Sequence, residues 1–212
     1  MSEKRLAFDS GKLKLVGVLS TPERGRGPFP GVVVCHPHPK YGGDMNNNVV
    51  LAAVTGLTGQ GIAVLRFNFR GMGGSEGSYT GGPGEQEDVL AAIAFLEAQK
   101  EIDRTRTGLA GYSFGAGIAA DVAPKSSTVR ALALIAPPTP NLGTPEFRGY
   151  AAPKLILAGD MDTFMPIDII RSHTAKMAGL VELSVLLEAD HFMGGYEGDI
   201  ATRVGEFFKK WL

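Results

Sequence analysis

Residues 106–118 read RTGLAGYSFGAGI. Apolar residues run up to Gly111, and from Phe114 onward the composition favours a helix, so a strand is expected to turn into a helix at Ser113. A serine at that junction, with a glycine two residues away on each side, has two readings. It caps an ordinary strand-to-helix turn, or it is a nucleophile held at the tip of a strained turn.

The sequence around this stretch alternates between two patterns. Residues 31–36 (GVVVCH), 62–69 (IAVLRFNF), 107–112, 130–138 (RALALIAPP), 153–160 (PKLILAGD) and 181–189 (VELSVLLEA) are short runs dominated by apolar residues. Such runs suit strands covered on both faces. Between them, 46–58, 84–100, 114–122, 166–178 and 199–212 suit helices, with Val89, Leu90, Ile93, Ala94 and Leu96 at helical spacing. Residues 12–20 (KLKLVGVLS) alternate as a half-buried strand does, and 20–31 (STPERGRGPFPG) joins it to the next strand. The alternation predicts βαβ units, a mostly parallel sheet and one domain over residues 1–212. Ligands of such sheets bind beyond the carboxyl ends of the strands, which makes those ends the place to look for chemistry.

Ser113 follows one strand, Asp160 and Asp162 another, and His191 a third. Serine, aspartate and histidine in that chain order, with the serine in G-x-S-x-G, form the pattern of a nucleophile elbow and its triad. The chemistry requires all three. A serine hydroxyl needs a base. His191 would take its proton and return it to the leaving group. A carboxylate must orient the imidazole and stabilise its cation. Asp162 is the expected acid, since it precedes Pro166 in the spacing G-x-x-D-x-x-x-P and so lies in the loop. Asp160, nearer the strand end, is the alternative, with a backbone-bonding role otherwise. For the oxyanion hole, Phe114 supplies one N–H as the residue after the nucleophile. Pro37 and Pro39 have none, which leaves His38 as the second donor. Tyr41, Met72, Phe164 and Phe192 are candidates to line the pocket, and each is equally explicable as packing.

Five segments, HPHPKYGGDMNN (36–47), RFNFRGMGGSEG (66–77), GYSFGAG (111–117), GDMDTFMP (159–166) and DHF (190–192), occur in order across nearly the whole chain. Together they resemble the α/β-hydrolase superfamily, and within it the small serine hydrolases related to dienelactone hydrolases. The resemblance implies an α/β-hydrolase fold and hydrolysis of esters or related acyl bonds, without metal or organic cofactor. It departs from the wider pattern at His36-Pro37, where many members have His-Gly. Dienelactone hydrolases themselves carry cysteine at the elbow, so that specific activity is not implied.

Rival readings are weaker. His36-Pro-His38 suggests a metal pair of the amidohydrolase type, but that barrel runs to about 250 residues, more than the 212 present. GMGGSEG (71–77) suggests a dinucleotide loop, yet G-x-G-x-x-G fails at Glu76 and no helix begins there. His36 is expected to brace its loop, and Arg70 either to brace loops or to contact substrate. A non-catalytic binding protein on the same fold is the third rival.

The 44% hydrophobic and 20% charged composition is that of a globular chain, and a net charge of −1 gives no pull toward nucleic acid or anionic membranes. The single cysteine, Cys35, allows no intrachain disulfide, and the charged N-terminus has no apolar core of a secretory signal. A cytoplasmic location is expected. The expected partner is a small acyl substrate, and the apolar EFFKKWL (206–212) offers a contact for a homodimer. Residues 137–152 are too short for a substantial helical cap, so the cleft should be open.

Overall fold

The computed structural model describes residues 1–212. Eight strands form one sheet: β1 (Ser2–Ser10), β2 (Leu13–Thr21), β3 (Phe29–Cys35), β4 (Ala63–Phe67), β5 (Ile102–Tyr112), β6 (Val129–Ile135), β7 (Lys154–Gly159) and β8 (Val181–Leu186). Their spatial order is β1-β2-β4-β3-β5-β6-β7-β8. β3 to β8 run parallel, whereas β2 is antiparallel to both β1 and β4.

The helices are α1 (Asn48–Gly59), α2 (Pro83–Glu97), α3 (Phe114–Val122), α4 (Thr139–Leu142), α5 (Pro145–Gly149), α6 (Ile167–Thr174) and α7 (Glu197–Trp211). One face of the sheet packs against α1 and α7 through Val32, Val34, Val64, Ala110 and Ala133. The other packs against α2, α3 and α6 through Val33, Cys35, Leu65, Leu109 and Leu132. Successive strand residues therefore enter opposite cores, and the strands read as unbroken apolar runs. Each such Val or Leu taken wholly out of water contributes roughly 1.5–3 kcal/mol.

Three local features depart from the sequence reading. β1 was not expected, because its outward residues are charged; of its apolar residues only Leu6 and Phe8 pack on the core, and the strand pairs with β2 along its whole length. Charge suits it to a sheet edge. β5 starts at Ile102, five residues earlier than its apolar run suggests. Residues 137–152 hold two short helices, α4 and α5, each with a proline in its first turn. They bury Leu142 and Phe147 in the body of the molecule rather than roofing the cleft. The C-terminal apolar run is likewise used internally, with Phe207 and Phe208 buried beneath α7. No helix is long and apolar enough to cross a membrane.

Candidate active site

Ser113 sits between β5 and α3 with φ 52° and ψ −119°. A left-handed φ on a serine costs on the order of 1–3 kcal/mol and persists only when its surroundings enforce it. Here Ser113 N–H donates to the Ile135 carbonyl at 2.9 Å, and the Ser113 carbonyl accepts from Gly117 N–H at 3.0 Å. The flanking glycines are required by close approach. A Cβ on Gly111 would run into the Gly115 carbonyl, and one on Gly115 would lie 2.5 Å from the carbonyl oxygens of both Cys35 and His36. Although Ser113 occupies the N-cap position of α3, its side chain makes no capping bond. Its Oγ lies instead 2.9 Å from His191 Nε2.

His191 follows β8. Its Nδ1 lies 2.7 Å from Asp162 Oδ2 in the loop after β7, so the ring proton sits on Nδ1 and the Nε2 lone pair faces Ser113. The Asp162 side chain is fully buried. Burial alone would raise its carboxyl pKa, but the hydrogen bond from His191 and the N–H groups of Met165 and Phe164, at 2.8 and 2.9 Å, hold it below the usual range. Asp160 is exposed, and its Oδ1 accepts from Glu188 N–H at 2.6 Å. The structure thus brings Ser113, His191 and Asp162 into one hydrogen-bonded line and leaves Asp160 outside it.

The loop after β3 is organised by His36, which is fully buried. Its Nε2 accepts from Phe69 N–H at 3.1 Å, so its Nδ1 carries the proton and donates to the Pro37 carbonyl at 2.6 Å. Burial opposes the imidazolium and lowers the pKa to about 4, which keeps the ring neutral. His38 N–H donates to no group of the protein. The Phe114 N–H opens α3 and is one of the donors that a helix leaves unpaired.

The His38 ring accepts from Lys40 N–H at Nδ1 (3.2 Å), which places its proton on Nε2, 3.1 Å from Tyr79 Oη. Each histidine therefore has both ring nitrogens engaged, which leaves neither free as a metal ligand. The His38 ring also packs against Tyr41, Tyr79 and Phe114, at centroid distances of 4.7, 5.2 and 5.0 Å. Phe164 and Phe192 pack instead against the His191 ring, at centroid distances of 5.2 and 5.9 Å. Met72 is fixed within the loop after β4, its N–H donating to the Phe69 carbonyl, and no hydrogen bond joins it to Ser113, His191 or Asp162.

Sequence reasoning missed two partners of the site. Tyr112 Oη donates to the His191 carbonyl at 2.8 Å and so anchors the histidine loop to the elbow. Tyr79 comes from the glycine-rich loop after β4. Neither has a local sequence signal, because their partners lie 79 and 41 residues away. Arg70 is assigned by the structure to bracing: its guanidinium and N–H bind the buried Asp88 of α2, at 2.8–3.2 Å.

Residues 10–165 match the family model of the X-Pro dipeptidyl-peptidase (S15 family). That span holds Ser113 and Asp162 and ends before His191. An uncharacterised protein of Rickettsia prowazekii is 34% identical over 171 residues, covering 77% of this chain and 71% of the relative. Among solved structures, an alpha-beta serine hydrolase homologue from Coxiella burnetii is 32% identical with a TM-score of 0.86, covering 97% of both chains. A Xanthomonas campestris protein, described as an a/b serine hydrolase without lid, is 30% identical with a TM-score of 0.87, covering 100% of this chain and 95% of the other.

Proposed function

This chain belongs to the X-Pro dipeptidyl-peptidase (S15) family and to the α/β-hydrolase superfamily, and from that premise we propose that it cleaves small esters through an acyl-enzyme on Ser113. The single observation that carries this reading is the line Ser113–His191–Asp162, with spacings of 2.9 and 2.7 Å.

Each group has a role in the proposed reaction. His191 Nε2 takes the proton of Ser113 as Oγ attacks the substrate carbonyl. Asp162 holds the imidazole in the productive tautomer and stabilises the cation that forms. The oxyanion is received by the N–H groups of His38 and Phe114, with the N-terminal end of α3 adding a favourable dipole. His191 then protonates the leaving alcohol. Water, deprotonated by the same histidine, releases the acid. Tyr112 acts as a positioning residue through the His191 carbonyl. No step of this scheme calls on a metal or an organic cofactor.

The substrate is a small acyl ester, because α4 and α5 fold onto the body and leave the cleft without a roof. A second reading keeps the same residues and cleaves amide or thioester bonds. The family model favours the amide form, since its own description names a dipeptidyl-peptidase. We take the protein to act in a reducing, cytoplasmic setting, supported by its one cysteine, which is buried with its thiol pKa pushed up by burial. Initial rates on p-nitrophenyl acetate, its thioester analogue and Gly-Pro p-nitroanilide test the reading. Ester turnover dominating supports it; turnover of the anilide alone replaces it with the peptidase.

A further inference from the structure

The geometry points to a leaving-group subsite built from Phe164 and Phe192, which selects esters whose alcohol carries a flat ring of the benzyl class. This inference rests on the hydrolase reading above. In that reaction the bond from Ser113 Oγ to the acyl carbon forms and the bond from that carbon to the alcohol oxygen breaks. The departing oxygen takes its proton from His191 Nε2, so the alcohol must lie beside that imidazole.

Three rings pack against the imidazole, the buried Tyr112 at 5.9 Å and two exposed phenyls on the side open to solvent. Phe164 lies 5.2 Å from it at an interplanar angle of 52°, and Phe192 lies 5.9 Å from it at 80°. The two phenyl rings meet each other at 6.3 Å and 81°. A flat ring entering this right-angled corner can stack on one phenyl while presenting its edge to the other, both favoured arrangements. An alkyl group of the same size gains only from the area it buries.

Both residues are 64% exposed, although their backbone N–H groups are held. Phe164 N–H is bound by Asp162 and Phe192 N–H by Asp190, each at 2.9 Å. Two large rings exposed on a fixed backbone, beside the group that protonates the alcohol, can stack on it. The other aromatic cluster, around His38, packs on Phe114 rather than on the His191 ring.

The test compares kcat/KM for benzyl acetate and cyclohexylmethyl acetate. The two alcohols are similar in size and basicity, and both substrates give the same acetyl-enzyme. The ratio therefore reports acylation, where the leaving group is still present. Benzyl acetate should lead by about three- to tenfold, the range expected of one aromatic pair. Phe164→Leu and Phe192→Leu keep apolar bulk at exposed positions and should each lower the ratio, with the double variant near one. A wild-type ratio at or below one, or a ratio unchanged in the double variant, overturns the subsite. If neither acetate is hydrolysed and a fluorophosphonate does not label Ser113, the hydrolase reading itself fails and the subsite with it.

Discussion

His36 Nδ1 donates to the carbonyl of Pro37 at 2.6 Å, and this contact aims the neighbouring His38 N–H. In a trans peptide the C=O and the following N–H point in opposite directions. Fixing the Pro37 oxygen on His36 therefore turns the His38 N–H the other way, free of any protein acceptor. His36→Asn should lower kcat about 100-fold, the low end for loss of one oxyanion donor, with KM little changed. Affinity for a boronic acid should fall in parallel. Rates are normalised to sites titrated with a fluorophosphonate, so a fold loss alone would leave kcat per labelled site intact.

The same histidine gives the fold a pH dependence. Burial sets its pKa at about 4, below the ordinary 6.5. Between those values the unfolded chain binds a proton that the folded protein refuses. The contribution is complete above pH 6.5 and is lost as the pH falls toward 4, amounting to about 3 kcal/mol. Urea unfolding from pH 7.5 to 4 should show this slope, and His36→Asn should flatten it.

Asp162→Asn should cost on the order of 10⁴ in kcat, because an amide facing His191 favours the wrong tautomer. Asp160→Asn should cost less than about tenfold, since the amide oxygen can still accept from Glu188 N–H, a bond worth about 1 kcal/mol. Steady-state rates of the two variants decide between them. The reverse order would move the acid to Asp160.

Gly115→Ala places a methyl against two backbone carbonyls, those of Cys35 and His36, and neither can swing aside. Overpacking of this kind costs about 1–3 kcal/mol, and here it also displaces the loop that carries His38. Both Tm and kcat should drop. Gly149→Ala, which meets nothing within 4 Å, serves as the control and should leave both unchanged.

Acyl length should matter little. A buried methylene contributes about 0.8 kcal/mol, so an enclosed acyl tunnel would raise kcat/KM several-fold per carbon. With Leu142 and Phe147 of α4 and α5 buried in the body, no such tunnel is formed. Acetyl to butyryl esters should be hydrolysed best or equally well. Measurement from C2 to C16 below the micellar limit checks this, and a clear maximum at C10 or beyond would contradict it.

How much was legible in the sequence follows from where each residue's partners lie. β3 to β7 announce themselves because both faces are covered, whereas β8 at the sheet edge is only half-buried; G-x-S-x-G is local because its constraint on Gly111 is local, a Cβ there running into the Gly115 carbonyl. β1 was hidden by its charged outer face, and α4 and α5 by their length of one turn or little more. Asp162 over Asp160 rested on loop spacing; in the structure Asp162 Oδ2 lies 2.7 Å from His191 Nδ1, and Asp160 Oδ1 accepts from Glu188 N–H. The alignment of the His38 N–H could not be read, since it depends on His36 bridging to Phe69, 33 residues away. Tyr112 and Tyr79 were hidden for the same reason.

An acyl-enzyme on Ser113 can be trapped by rapid quenching with p-nitrophenyl acetate followed by mass spectrometry of the peptides. An added acetyl group on Ser113 is expected, appearing with the burst of nitrophenol, together with a loss near 10⁶ in kcat for Ser113→Ala. No acetyl group on Ser113 during turnover, or more than a few per cent of activity left in Ser113→Ala, would contradict it.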